Sequence, residues 1–221
     1  MESSKIPTLL SPFQNSFLVE FFRLTQDFYL TGGTALSAFY LQHRYSEDLD
    51  LFTSNDAFFQ KVDEFVGEVS TRLKVALKPV LITSFFKHFK IGSQESLLTL
   101  HFSKDVPFHV KPPNRFGEIL VDSIEDITTN KICAALGRTE IKDLIDLYFL
   151  DKAGYSIASY FDIAQQKDGG LAYETLAYTL SQFQISKIPS FMIKPLTVDE
   201  LNQYQETTIE WLLRKAAPPS Q

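Results

Sequence analysis

Residues 29–53 read YLTGGTALSAFYLQHRYSEDLDLFT, and the fold turns on this stretch. Asp27 to Leu30 reads as a short strand running into Thr31-Gly32-Gly33, Ala35 to His43 as a helix, and Asp48 to Phe52 as a second strand. Glycine permits positive φ at the strand–helix junction and lets backbone N–H groups approach a phosphate. The helix behind it aims its positive dipole end at the same place. A plain tight turn would account for two glycines equally well. The Asp48-Leu49-Asp50 triplet adds the chemistry. Strand residues two apart share a face, so Asp48 and Asp50 project together while Leu49 and Leu51 turn to the core. Adjacent carboxylates repel, and a divalent cation removes that cost. Mg²⁺ prefers oxygen ligands and often takes one or two carboxylates plus substrate phosphates. An exposed edge-strand pair of acids is the bland alternative. Joined to the diglycine turn, the pair describes a phosphoryl-transfer site.

Outward from that stretch, the 221 residues suffice for one large domain or two small ones. A chain of this length buries roughly 70% of its unfolded surface and needs no disulfide or structural metal. The single Cys133 excludes a disulfide framework and a thiolate zinc cluster, and reads as a small buried residue of its helix. His43, His88, His101 and His109 show no metal-binding spacing. Twenty Phe residues predict a core built on aromatic packing. A net charge of −6 argues against charge-driven coating of nucleic acid but leaves room for a local basic groove. The N-terminal MESSKIPTLLSPFQ is too short in apolar run for a signal peptide, and no apolar stretch reaches membrane-spanning length. The expectation is a cytoplasmic protein.

Phe17, Leu18, Phe21 and Phe22 mark a helix over about 13–24, and a longer one is expected over about 55–73. Strand-like runs follow at Val80–Lys90, Leu97–Phe102 and Val106–Lys111, with Ser103-Lys104-Asp105 as the hairpin turn between the last two. After Val121 the character changes. Ser123 to Asp126 fits a capping box, and helices are expected at about 124–136, 140–151, 156–165, 171–183 and 197–215. A frayed end is expected at residues 218–221. The expected plan is α+β: a mixed sheet flanked by helices over residues 1–122, then an all-helical part over 123–221.

GGTALSAFYLQHRYSEDLDLF resembles the signature of the AbiEii/AbiGii-type toxin family, within the DNA polymerase beta-like nucleotidyltransferase superfamily. Fourteen residues separate Gly33 from Asp48, and the inserted HRYS before the acids is what this family in particular looks like. VDSIEDITTNKICAALGRTEIKDLIDLYFL is similar to the family's second block, a lysine-bearing helix followed by a basic–Asp helix. The resemblance implies the polymerase beta-like fold and a Mg²⁺- or Mn²⁺-dependent transfer of a nucleotide from a nucleoside triphosphate to an acceptor, with tRNA as the expected acceptor. It also implies a toxin of a toxin–antitoxin or phage-defence pair, with a cognate antitoxin as partner.

Position by position, the resemblance assigns Asp48 and Asp50 to the metal and Gly32, Gly33 and Thr34 to the phosphates. Lys131 becomes the active-site lysine that neutralises triphosphate charge, and Asp143, after Lys142, assists in positioning. Each also has a bland reading. Lys131 could be a solvated lysine, Lys142–Asp146 an ordinary i,i+4 pair, and Asp146 scaffolding. Arg44 could contact phosphate or clamp the strand acids, and Ser46 could shape the turn into their strand. Lys111, Arg115, Arg138 and Lys142 could form a basic surface for RNA. One departure stands out. Many superfamily members supply a third carboxylate from a neighbouring strand, and the matching strand is expected to be Val106–Lys111, which holds no acid. His109 there could act as a base or be a plain polar strand residue. Two other readings therefore stay open: a nucleotide-binding or partner-binding protein without turnover, and a small-molecule nucleotidyltransferase. The first reading expects Gly33, Asp48, Asp50, Lys131 and Asp143 to line one cleft.

Overall fold

Ser11-Pro12 opens the first helix, and its capping explains where it starts. Ser11 Oγ accepts from the Gln14 N–H at 3.1 Å while Gln14 Oε1 accepts from the Ser11 N–H at 2.9 Å, and Pro12 brings the fixed φ that suits a first helical turn. The computed structural model describes residues 9–93 and 96–217. The expected frayed end at 218–221 and most of the N-terminal stretch lie outside the described residues. The chain divides into two compact units, Met1–Ser123 and Ile124–Gln221.

The first unit is a seven-stranded mixed sheet with the order β3-β4-β5-β2-β1-β7-β6. Its strands are β1 (Tyr29–Thr31), β2 (Leu49–Thr53), β3 (Ala76–Ile82), β4 (Phe86–Gly92), β5 (Leu97–Lys104), β6 (Asn114–Phe116) and β7 (Ile119–Val121). Helix α1 (Pro12–Leu24) precedes them, α2 (Gly32–Ala35) follows β1, and α3 (Asp56–Gln60) and α4 (Val62–Leu73) follow β2. The apolar side of the sheet meets the aromatic face of α1. Phe21 lies 5.4 Å from Phe102 of β5, 5.3 Å from Phe28 and 6.3 Å from Phe65 of α4, ring centre to ring centre. Phe17, Phe21, Phe22, Phe28 and Phe102 are all essentially inaccessible. The predicted aromatic core is therefore present, and it gains edge-to-face packing beyond simple burial.

Strand alternation sorts the two sides. Leu49 and Leu51 of β2, Leu98, Leu100 and Phe102 of β5, and Phe89 and Ile91 of β4 are buried. Asp50, Thr99, His101, Ser103, His88 and Lys90, the residues between them, are half-exposed on the opposite face. β2 runs parallel to β5 and antiparallel to β1.

The structure corrects several expected elements. Val106–Lys111 forms no strand, and β5 runs on through Ser103 and Lys104, which were expected to be a turn. Pro107 and the Pro112-Pro113 pair lack the N–H groups a ladder needs. β6 and β7 form a separate hairpin that turns at Gly117, φ +62°. The single run expected at Val80–Lys90 is a hairpin, β3 to β4, closed by Thr83, whose N–H donates to Phe86 O at 2.9 Å. The helix expected over 55–73 breaks at Lys61 into α3 and α4.

The second unit is helical: α5 (Ile124–Gly137), α6 (Ile141–Lys152), α7 (Ile157–Ala164), α8 (Tyr173–Ser181) and α9 (Val198–Ala216). A capping box between Thr197 and Glu200 starts α9. Gln205 of α9 then caps the end of α8, donating to Leu180 O at 2.7 Å and Phe183 O at 3.2 Å. Phe161 stacks on Tyr173 at 4.0 Å with Trp211 edge-on to both.

Candidate active site

The diglycine turn and the strand acids are built against each other within the sheet unit. Gly32 has φ +70°, a region that a side chain rarely adopts, and a Cβ there would collide with Asp50 Oδ2. At Gly33 a Cβ would strike Arg44 Nη2 and come within 3.1 Å of Ser46 Oγ. Each glycine thus leaves room for one functional side chain: a carboxylate under the first and a guanidinium under the second. Thr34 Oγ1 donates to the Asp48 carbonyl, which ties α2 to the entry of β2.

Beyond Ala35 the helix widens into a π-helical turn over Leu36–Leu41, closed by the Gln42 N–H donating to Ser37 O at 2.9 Å. Single π-turns inside helices are frequent at functional sites. Ser37 Oγ donates to the carbonyl of Arg44, and Arg44 Nη1 donates to Tyr45 O at 2.9 Å. Arg44 is only 3% exposed, so its charge is held under the turn. The loop ahead of β2 is fixed from the other side, where Gln14 Nε2 donates to Ser46 O and Glu47 O at 3.0 Å each.

Asp50 lies on the half-exposed face of β2, and Asp48, expected to open that strand, is half-exposed one residue before the strand begins at Leu49. Across the parallel pairing, Asp50 stands opposite His101, and His101 stands opposite His88 of β4. His101 Nδ1 is 3.1 Å from Asp50 Oδ1. The rings of His101 and His88 are 4.8 Å apart, edge to face. Burial first, then His101 and Lys90, push the His88 pKa down, against an opposing pull from Asp48. His88 is therefore a neutral imidazole at pH 7.

In the helical unit Lys131 is 5% exposed, which excludes a solvated lysine. Its Nζ lies 2.9 Å from Asp143 Oδ1 and 2.6 Å from Asp146 Oδ2. Arg138 adds a fork on Asp143, Nε to Oδ2 at 2.7 Å and Nη2 to Oδ1 at 3.2 Å. Burial by itself would raise the pKa of Asp143, but Lys131 and Arg138 outweigh it and hold the carboxyl below its ordinary value. Lys142 turns to Glu140 at 2.8 Å, so the Lys142–Asp146 pair expected from i,i+4 spacing is replaced by Lys131–Asp146. Cys133 is half-buried, and burial pushes its thiol up to about 11, so it is no thiolate nucleophile at neutral pH.

The family model described as nucleotidyl transferase AbiEii toxin, type IV toxin–antitoxin system, matches residues 16–208. The chain belongs to this family. It is 27% identical over 196 residues to the uncharacterized protein aq_aa25 of Aquifex aeolicus, covering 87% of each. Its fold is similar to that of a Helicobacter pylori protein assigned as a nucleotidyltransferase, with a TM-score of 0.59 and 19% identity over 93% of this chain and 97% of that one. It is also similar to JHP933 of Helicobacter pylori, TM-score 0.57 and 19% identity, over 91% and 89% of the two chains. The α+β fold is that of a nucleotidyltransferase, and as a member of the AbiEii toxin family the chain is a nucleotidyl-transferring enzyme.

Within this AbiEii-family chain, Gly32, Gly33, Thr34, Arg44, Asp48 and Asp50 come together in the sheet unit, while Lys131 and Asp143 come together in the helical unit. His109 is not a strand residue beside the acids; it packs edge-on against Tyr29 at 5.2 Å. The parallel neighbour of β2 is β5, and the residue facing Asp50 there is His101. His101 was missed, although LLTLHFSK alternates clearly enough to place it on the polar face. Arg138 and Lys142, expected in a basic surface, are each engaged by a carboxylate.

Proposed function

We propose that this toxin-family enzyme transfers a nucleotide from a nucleoside triphosphate to tRNA, using Mg²⁺ or Mn²⁺ held by Asp48 and Asp50. The observation that carries the reading is the seating of the Asp50 carboxylate in the space that a Cβ of residue 32 would fill, with the half-exposed Asp48 just ahead of the same strand. The donor set fits a hard dication: two half-exposed carboxylates, one on β2 and one just ahead of it.

Asp48 and Asp50 would hold such an ion, which would supply charge neutralisation for an in-line displacement on the nucleotide. The chain's own groups do the rest. The N–H groups of the Gly32-Gly33-Thr34 turn bind phosphate oxygens, and the Arg44 guanidinium beneath Gly33 adds positive potential from below. Thr34, with its hydroxyl committed to Asp48, contributes through its backbone and keeps turn and acids in register. In the helical unit Lys131 has a catalytic role in the transfer, and Asp143 positions its ammonium through their 2.9 Å pair. The acceptor hydroxyl of tRNA attacks the α-phosphorus, its bond to pyrophosphate breaks, and the proton leaves with solvent. A cognate antitoxin accompanies such a toxin.

The test is incubation of the full chain with labelled nucleoside triphosphates, Mg²⁺ or Mn²⁺, and total tRNA. Labelled tRNA from wild type, and none from Asp48→Ala with Asp50→Ala, is the expected result. Label on a small molecule instead of RNA would replace the acceptor, and nucleotide binding with no transfer to either would overturn the reading.

A further inference from the structure

Resting on that reading of the metal site, we propose that His101 is its third protein donor, and that its nitrogen biases the site towards Mn²⁺ over Mg²⁺.

Three observations converge on it. The first is register. β2 and β5 are parallel neighbours, and Asp50 pairs with His101, so both side chains rise from the same row of the sheet. The second is spacing. His101 Nδ1 and Asp50 Oδ1 are 3.1 Å apart. Two adjacent corners of an octahedron with bonds of about 2.1–2.2 Å are separated by about 3 Å, so the two atoms already stand as neighbouring ligands would. The third is restraint. The His101 ring is held by Phe86, 5.7 Å away and tilted 33°, and by His88 at 4.8 Å, yet its side chain stays 25% exposed, next to an Asp50 that is 30% exposed. The ring is fixed but not sealed off.

The chemistry then sets the preference. β5 offers no carboxylate along LLTLHFSK, so the third ligand from this strand is an imidazole. Mg²⁺ keeps to oxygen donors and water, whereas a nitrogen donor adds more to the affinity of a first-row transition ion, even Mn²⁺ at the weak end of that series, than to that of Mg²⁺. A site of two carboxylates and one imidazole therefore gains more from Mn²⁺ than an all-oxygen site does. A histidine that only hydrogen-bonds Asp50 would orient the carboxylate and leave the metal's first ligands all oxygen.

Pulsed electron paramagnetic resonance of Mn²⁺ bound to the full chain separates the two, because a directly bonded nitrogen gives resolved ¹⁴N modulation. Mn²⁺ and Mg²⁺ affinities from calorimetry accompany it. Wild type is expected to show ¹⁴N coupling that disappears in His101→Ala and His101→Asp. Mn²⁺ affinity should fall roughly tenfold or more in His101→Ala, since loss of even an outer partner of a metal site costs about 10- to 100-fold. His101→Asp should recover binding but with the preference moved towards Mg²⁺. It also carries the test if His101→Ala does not fold. Bound Mn²⁺ without ¹⁴N coupling, or coupling that persists in both variants, overturns the role of His101 while leaving the acids as ligands. Mn²⁺ binding untouched by Asp48→Asn and Asp50→Asn overturns the metal site itself.

Discussion

The sheet unit and the helical unit each gather charge, but they treat it in opposite ways. In the helical unit, Asp143 and Asp146 have fully buried side chains, and two cations, Lys131 and Arg138, lie against them. The fold itself supplies cations to these acids. In the sheet unit, Asp48 and Asp50 are half-exposed, and Asp50 lies 3.1 Å from the ring of His101. A buried carboxylate has to be matched by charge from its own fold, because leaving it alone costs several kcal/mol. A half-exposed pair can wait for a cation from solution. One cluster is compensated for folding and the other is left open for binding, and the two should respond differently to the same kind of substitution.

The sharpest separation comes from isosteric neutralisation of the open pair. Asp48→Asn or Asp50→Asn should cut nucleotide transfer by about 10³-fold, as loss of several kcal/mol of metal-borne stabilisation requires. The melting temperature should stay within about 2 °C of wild type, because removing one of two repelling carboxylates costs the fold little. A large drop in melting temperature would place these acids in the structural class. Lys131→Met should do the reverse. It removes the cation shared by two buried carboxylates, so a loss of roughly 3–5 kcal/mol is expected, visible as a melting temperature lower by about 10 °C or more. Transfer measured where this variant is still folded should also fall if the ammonium has a catalytic role, and unchanged transfer would confine Lys131 to the scaffold.

Gly32→Ala comes next. It forces a Cβ into φ +70° and onto the Asp50 carboxylate, at a cost of about 1–3 kcal/mol. Activity should fall more steeply than stability, because Asp50 is displaced as well. Equal behaviour of wild type and Gly32→Ala in calorimetric metal titrations would contradict the packing argument.

The smallest effect is in acid. The folded-state pKa of Asp143 is depressed, so its contribution is whole above the ordinary carboxylate range and lost as pH falls through the depressed value. The melting-temperature gap between wild type and Asp143→Asn should therefore be constant from pH 7 to about 5, and close below about pH 4. A gap that widened in acid would reverse the assignment.

What could be read from the chain alone follows the same division. The β2 acids were legible because their chemistry is local: alternation puts Asp48 and Asp50 on one face, and the diglycine marks the turn fourteen residues earlier. His101 was not, because its meaning depends on which strand lies beside β2. Val106–Lys111 alternates as well as LLTLHFSK does, and only the prolines around it argue against a strand. The burial of Lys131 escaped for a different reason. Periodicity sends charged residues to solvent, yet α5 buries Asp126, Thr128, Thr129 and Lys131, and α6 is buried continuously from Asp143 to Leu150. Helices packed on most sides carry no polar stripe to read.

The account stands on the half-exposed pair as the seat of a dication, and crystals grown with Mn²⁺ and a non-hydrolysable nucleoside triphosphate test it most directly. An anomalous peak bonded to a carboxylate oxygen from both Asp48 and Asp50, with phosphate oxygens over the Gly32-Gly33 turn, is the predicted result. Nucleotide bound with its metal elsewhere, and those two carboxylates untouched, would contradict it.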